Sequence, residues 1–213
     1  MKLKSLLFSL VAVATLSSPV FAQAPAPTPV AGQDYSAYDP QQPTDAGPGK
    51  IEVTEFFFYD CPHCNDMEPL IEQWAKTLPK DVVLRRVPVL FRPQLAAGAK
   101  LYYTLDAMNL VGKLNADVFN AIHQQNINLD DQDTLFKWIA SKGVDATKFA
   151  QIYGSFAVDS KVRNADQITR AHKIPGTPAI VVDGKYLVAS GDHARELQIA
   201  SYLIEKVRAS KKK

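Results

Sequence analysis

The rhythm of apolar and polar positions changes several times along the chain, and each change marks an element. Residues 51–59, IEVTEFFFY, are β-branched and aromatic, with Glu52 and Glu55 as their only charges. That pattern predicts a strand buried on both faces. After Asp60-Cys61-Pro62-His63-Cys64, the residues Met67, Leu70, Ile71, Trp74 and Leu78 recur at helical spacing and give one apolar face. Pro62 suits the first turn of that helix, where a missing N–H costs nothing, and Pro69 inside it should kink the helix rather than end it. Residues 82–91, VVLRRVPVLF, read as a second strand interrupted by Pro88.

Helical periodicity then takes over, with helices expected near 94–110, 114–126, 131–142, 146–153 and 156–172. Gly143 marks a stop and Asp145 a cap. Residues 179–182 and 185–189 flank Asp183-Gly184, a two-residue hairpin signal, and Asp192 can cap a last helix through Arg208. The order is strand, helix, strand, a helical block, then helix, hairpin and helix. It describes an α/β sheet in two halves separated by a helical insertion, and the helix between the first two strands favours a parallel, right-handed crossover.

Ahead of the first strand, residues 23–48 carry Pro25, Pro27, Pro29, Pro40, Pro43 and Pro48 and read as an extended linker. Residues 1–22 read as a secretory signal peptide. Lys2 and Lys4 precede the short apolar run 6–16, and Val20-Phe21-Ala22 offers a cleavage site near Ala22. An uncleaved anchor is the alternative, but the run is short for a bilayer.

Removal of Lys2 and Lys4 from the 24 basic residues balances the 22 acidic ones. A neutral mature chain argues against nucleic-acid binding, which needs excess positive charge. The terminal Lys211-Lys212-Lys213 reads as a solvated end. With 213 residues and 46% hydrophobic content, the chain can build a full core.

Export permits disulfides, yet the chain has only 2 cysteines, two residues apart. A disulfide closing so small a loop is a poor staple, so the pair points to chemistry. At a strand-to-helix junction the first sulfur meets unpaired N–H groups and the positive end of the helix dipole, which favour a thiolate. His63 can add positive charge or a hydrogen bond. A thiolate that leaves easily makes its disulfide an oxidant. Zinc binding is the competing use, but Cys61 and Cys64 supply two ligands only, and His123, His172 and His193 sit in unrelated segments. Those histidines read as surface or satisfied groups, and Trp74 and Trp138 as core.

Cys61-Pro62-His63-Cys64 after a buried aromatic strand, together with residues 174–188, IPGTPAIVVDGKYLV, resembles the DsbA proteins of bacterial periplasms. The resemblance covers about residues 49–209. It implies a thioredoxin fold with an inserted all-helical domain: residues 49–92 and 165–213 form the thioredoxin-like part and residues 93–164 the insertion. It further implies an enzyme of the periplasm that oxidises unfolded exported proteins with free cysteines, is reoxidised by a DsbB-like membrane quinone reductase, works as a monomer and needs no cofactor beyond the Cys61–Cys64 disulfide. Cys61 corresponds to the exposed nucleophile and Cys64 to its buried partner. Pro178 corresponds to a cis-proline, preceded by Thr177, whose backbone would pair with an extended substrate.

Glu55 lies where these proteins carry a buried acid. It is either a proton acceptor for Cys64 or an ordinary acid at a sheet margin. Arg86 is its natural counter-charge and replaces a lysine of the best-known member, Pro88 replaces a nearby histidine, and Pro69 resembles the kink of thioredoxin itself. A disulfide isomerase or reductase on the same fold, and a peptide-binding chaperone, are the rival readings.

Overall fold

The computed structural model describes residues 27–188 and 190–211. The expected signal peptide lies outside the described residues. A five-stranded sheet runs in the order β1 (Ser36–Ala37), β5 (Tyr186–Val188), β4 (Ala179–Val182), β2 (Ile51–Phe57), β3 (Val82–Pro88). β2 is central and every one of its residues is buried, which its run of apolar side chains permits. It pairs parallel with β3 across the helix α1 (Pro62–Ala75), as the crossover rule requires, and antiparallel with β4. β3 ends at Pro88, which has no N–H to continue the ladder, and Phe91 is left 48% exposed.

The insertion folds as a 3₁₀ turn (Pro93–Leu95) and helices α2 (Ala96–Ala107), α3 (Val111–His123), α4 (Gln132–Ser141) and α5 (Ala146–Tyr153), followed by α6 (Phe156–Ala171). α3 starts earlier than its apolar rhythm suggests, because Asn109 adopts the left-handed conformation (φ 57°) and turns the chain directly into Val111. Asp131, Asp145 and Ser155 cap α4, α5 and α6 with side-chain oxygens on backbone N–H groups. The last helix, α7 (His193–Lys211), packs beside α1. One core therefore lies between the sheet and α1 with α7, built on Ile51, Val53, Met67, Ile71, Leu203 and Val207. The other joins the opposite face of the sheet to the helical block. Among the described residues no helix is long and apolar enough to cross a membrane.

Three expectations are corrected. Residues 27–48 are not a free linker throughout: β1 pairs with β5, Tyr35 is 6% exposed and packs edge-on against Tyr186, and the Tyr38 hydroxyl donates to the His172 carbonyl at 2.6 Å. Aromatic residues within the proline-rich stretch supply this anchorage. The strap crosses the β4–β5 hairpin so closely that a Cβ at Gly184 (φ +61°) would lie 2.1 Å from the Gln42 carbonyl oxygen. On α1 the inward stripe holds Cys64, Met67, Glu68 and Ile71, whereas Leu70 is 37% exposed. Trp74 is half-buried and its indole N–H reaches Ser201 Oγ at 2.8 Å.

Candidate active site

β2 delivers the chain through Phe58-Tyr59-Asp60 to Cys61, which is the N-cap of α1. Its backbone is extended (φ −79°, ψ 115°) and its sulfur accepts the Cys64 N–H at 3.4 Å. The cap position, filled by an oxygen in most helices, here holds a sulfur in the same field of unpaired N–H groups. From across the site the Thr177 hydroxyl donates to the same sulfur at 3.4 Å, and the Thr177 carbonyl lies 3.5 Å from it. The Thr177–Pro178 peptide is cis.

Both cysteines are free thiols. Hydrogen bonds from the Cys64 thiol, the Thr177 hydroxyl and the N–H groups of Cys64 and His63 hold the Cys61 thiol far below the ordinary range, at about 5. Burial pushes Cys64 in the opposite direction, reinforced by the neighbouring Cys61 sulfur. Cys61 is more enclosed than an exposed nucleophile: it retains 5% exposure against 0% for Cys64. What solvent exposure the pair keeps therefore belongs to residue Cys61.

His63 acts on the sulfur through its backbone N–H, and its exposed ring turns instead toward His193, with centroids 6.1 Å apart. His193, expected as a surface or satisfied group, borders a cavity of about 270 Å³ with His63, Pro175, Gly176, Thr177 and Pro178. Its Nδ1 lies 3.3 Å from Oε2 of the buried Glu196. His123 and His172 are satisfied by the carbonyls of Tyr59 and Ile168.

Parallel register sets Glu55 of β2 beside Arg86 of β3 on the face covered by α1, the helix that carries both cysteines at its start. Arg86 Nε lies 2.9 Å from Glu55 Oε2, so the expected ion pair forms. No N–H is aligned on that oxygen, and the contact is held by charge rather than by a hydrogen bond. Arg86 also meets Glu68 at 3.2 Å and Glu72 at 2.9 Å, both from α1. One guanidinium thus faces three carboxylates. Burial, opposed by Arg86 and assisted by Glu68 and Glu72, raises the Glu55 carboxyl to about 7. Burial raises Glu68 as well. Glu68 and Glu72 were missed from the sequence, although their spacing of four from Cys64 places all three on one helix face.

The arrangement joins a low-pKa thiol at a helix N-terminus, a neutral thiol behind it and, on the strand packed against the same helix, a buried carboxyl raised to about 7. The profile of the DSBA-like thioredoxin domain matches residues 52–201. The thiol:disulfide interchange protein DsbA of Bordetella pertussis is 43% identical over 87% of this chain and 90% of its own. The crystal structure of Pseudomonas aeruginosa DsbA superposes with a TM-score of 0.82 at 37% identity, covering 86% of this chain and 97% of that one. Reduced DsbA1 from Neisseria meningitidis gives 0.78 at 31%, over 87% and 98%. The cysteine pair, the cis-proline loop and the buried acid are thus set in a chain that belongs to the family of DSBA-like thioredoxin domain proteins.

Proposed function

We propose that the chain is a protein dithiol oxidase that passes its Cys61–Cys64 disulfide to newly exported proteins. The observation that carries this reading is the opposite treatment of the two sulfurs: donors surround Cys61, whereas Cys64 is fully enclosed. A substrate thiolate attacks the Cys61 sulfur, a mixed disulfide forms, and the Cys61–Cys64 bond breaks. Cys64 leaves as a thiolate and, being disfavoured as an anion, takes a proton that Glu55 supplies. A second substrate thiolate then attacks the substrate sulfur and expels the Cys61 thiolate. The substrate has lost two electrons and the protein has gained them.

Thr177, beside the cis-proline, presents its backbone to the extended substrate, and Pro62 starts the helix whose N–H groups face Cys61. His63 and its neighbour His193 border the substrate's approach. Reoxidation falls to a DsbB-like quinone reductase in the membrane, and the place of action is the periplasm. The chemistry is carried by the disulfide, without a cofactor bound in the protein.

Equilibration with glutathione tests the assignment. A stabilised Cys61 thiolate places the couple well on the oxidising side of glutathione, with the reduced protein predominating in mixed buffers. A couple poised like thioredoxin, far on the reducing side, would make the chain a reductase.

A further inference from the structure

Two side chains of the helical insertion reach into the thioredoxin-like part next to the thiols. Asn115 of α3 donates from Nδ2 to Glu68 Oε1 at 2.7 Å and accepts, at Oδ1, the Tyr59 hydroxyl at 2.7 Å. Asn115, Glu68 and Tyr59 are all buried, so water does not compete for these bonds. Two turns further along α3, His123 Nε2 lies 2.7 Å from the Tyr59 carbonyl. Tyr59 stands two residues before Cys61, and Glu68 one turn after Cys64.

We propose that Asn115 is a positioning residue for the exchange reaction: by holding Glu68 it divides the charge of Arg86 between Glu68 and Glu55, and so tunes proton transfer at Cys64. This rests on the reading of Glu55 as the group that exchanges a proton with Cys64. An amide N–H donated to a carboxylate favours its ionised form. Ionised Glu68 draws on Arg86 and repels a second negative charge on Glu55. Without the amide, Glu68 takes up a proton more readily, Arg86 turns wholly to Glu55, and Glu55 ionises at lower pH.

The groups that face one another here are Glu55 from β2, Arg86 from β3, Glu68 and Glu72 from α1, Tyr59 from the turn after β2, and Tyr102 from α2. Burial pushes both tyrosines up, so neither titrates near neutrality, and Arg86 stays charged because three acids face it. Glu55 and Glu68 are left as the buried pair whose protons move, with Glu72 at the solvent edge. The insertion, which carries no cysteine, thereby acts on the chemistry through a neutral amide.

The test isolates the step in which Cys64 closes the disulfide. Full-length mature protein is loaded at Cys61 with glutathione. Cys64 then gives up its proton, its sulfur bonds to Cys61, and glutathione thiolate leaves; the released thiol is followed from pH 5 to 9. The wild-type rate should rise through an inflection near 7. Asn115→Leu should move that inflection to lower pH, read at pH 6 as a rate about threefold above wild type, the scale of one lost hydrogen bond passed on in part. Glu55→Gln should abolish the inflection, and adding Asn115→Leu to it should change nothing further.

A folded Asn115→Leu protein with an unmoved profile overturns the inference while leaving the role of Glu55 intact. So does a shift that survives in the Glu55→Gln background. An inflection that persists in Glu55→Gln alone instead removes the proton-exchange reading, and this inference with it. Should Asn115→Leu not fold, Glu68→Gln removes the same charge directly and must shift the profile the same way; an unshifted profile there overturns the proposal.

Discussion

The rim of the site and its floor treat a negative charge in opposite ways. At the rim, Cys61 sits in the N-cap position, ringed by N–H and O–H donors from α1 and Thr177, and an anion is welcome there. On the floor, burial pushes Cys64 and Glu55 each toward its neutral form, and Arg86 opposes this at Glu55 only in part, because Glu68 and Glu72 share its guanidinium. The difference lies less in depth, since both cysteines are nearly inaccessible, than in the supply of donors. Burial with enough donors stabilises a charge, and burial with too few expels it. Two groups of the same chemistry are driven apart in this way, and that separation supports the roles proposed for them, Cys61 as leaving group and Cys64 as proton-bearing partner.

The largest test of the contrast removes each sulfur in turn. Cys61→Ser should abolish disulfide transfer to a reduced substrate protein. Cys64→Ser, first loaded at Cys61 with oxidised glutathione, should accept attack by a substrate thiolate at the Cys61 sulfur, release glutathione thiolate and accumulate a Cys61–substrate mixed disulfide, visible as an adduct on non-reducing gels. Adducts forming on Cys64 in the Cys61→Ser protein would reverse the two roles.

A second, smaller effect is thermodynamic. The folded Cys61 thiol is held at about 5, below the value of about 8.5 for an unfolded thiol. A depressed pKa contributes stability that is fully present above the unfolded value and is lost as pH falls toward the folded one. Cys64 has the opposite sign: its raised pKa withholds stability once the unfolded chain ionises it, above about 8.5. Reduced protein should therefore exceed the oxidised form in stability most clearly near pH 8, with the gap closing toward pH 5 and again in stronger alkali. Denaturant unfolding of both forms across that range measures it. A gap independent of pH would mean that rim and floor do not differ as described.

The smallest expected change sharpens the account of the rim. Thr177→Val removes one donor from the Cys61 sulfur and leaves the others in place. The thiolate absorbance titration should shift upward by about half a unit, as suits one weak hydrogen bond among several. An unchanged midpoint would leave the helix N–H groups as the whole cause.

Much of the rim was legible in the sequence, because its parts are contiguous. Cysteines at a strand-to-helix junction, Asp183-Gly184 in a hairpin, and Thr177-Pro178 ahead of a strand are local patterns with local causes. Glu55 and Arg86 were also readable, as charges inside strands that are otherwise apolar. The floor was harder. Glu68 turns inward while Leu70 is 37% exposed, a reversal that hydrophobic periodicity ranks wrongly, because Arg86 offers Glu68 a partner that the pattern cannot see. Asn115 bonds a residue 47 positions away, and nothing local marks it. The strap over the hairpin was hidden by its prolines, which suggested extension but said nothing of where Tyr35 and Tyr38 would anchor.

Arg86 has a bearing on the medium in which the protein works. Its side chain is 6% exposed, and dissolved ions cannot approach it or the buried Glu55 and Glu68 beside it. Screening that shrinks interactions between exposed charges within about 10 Å at moderate salt acts little on such an enclosed group. Passage from dilute to saline conditions alters the attraction between a protein's exposed charges and those of its partners. The counter-ion of Glu55 and Glu68 travels inside the fold, so the proton balance between them is carried from one ionic strength to another almost unchanged.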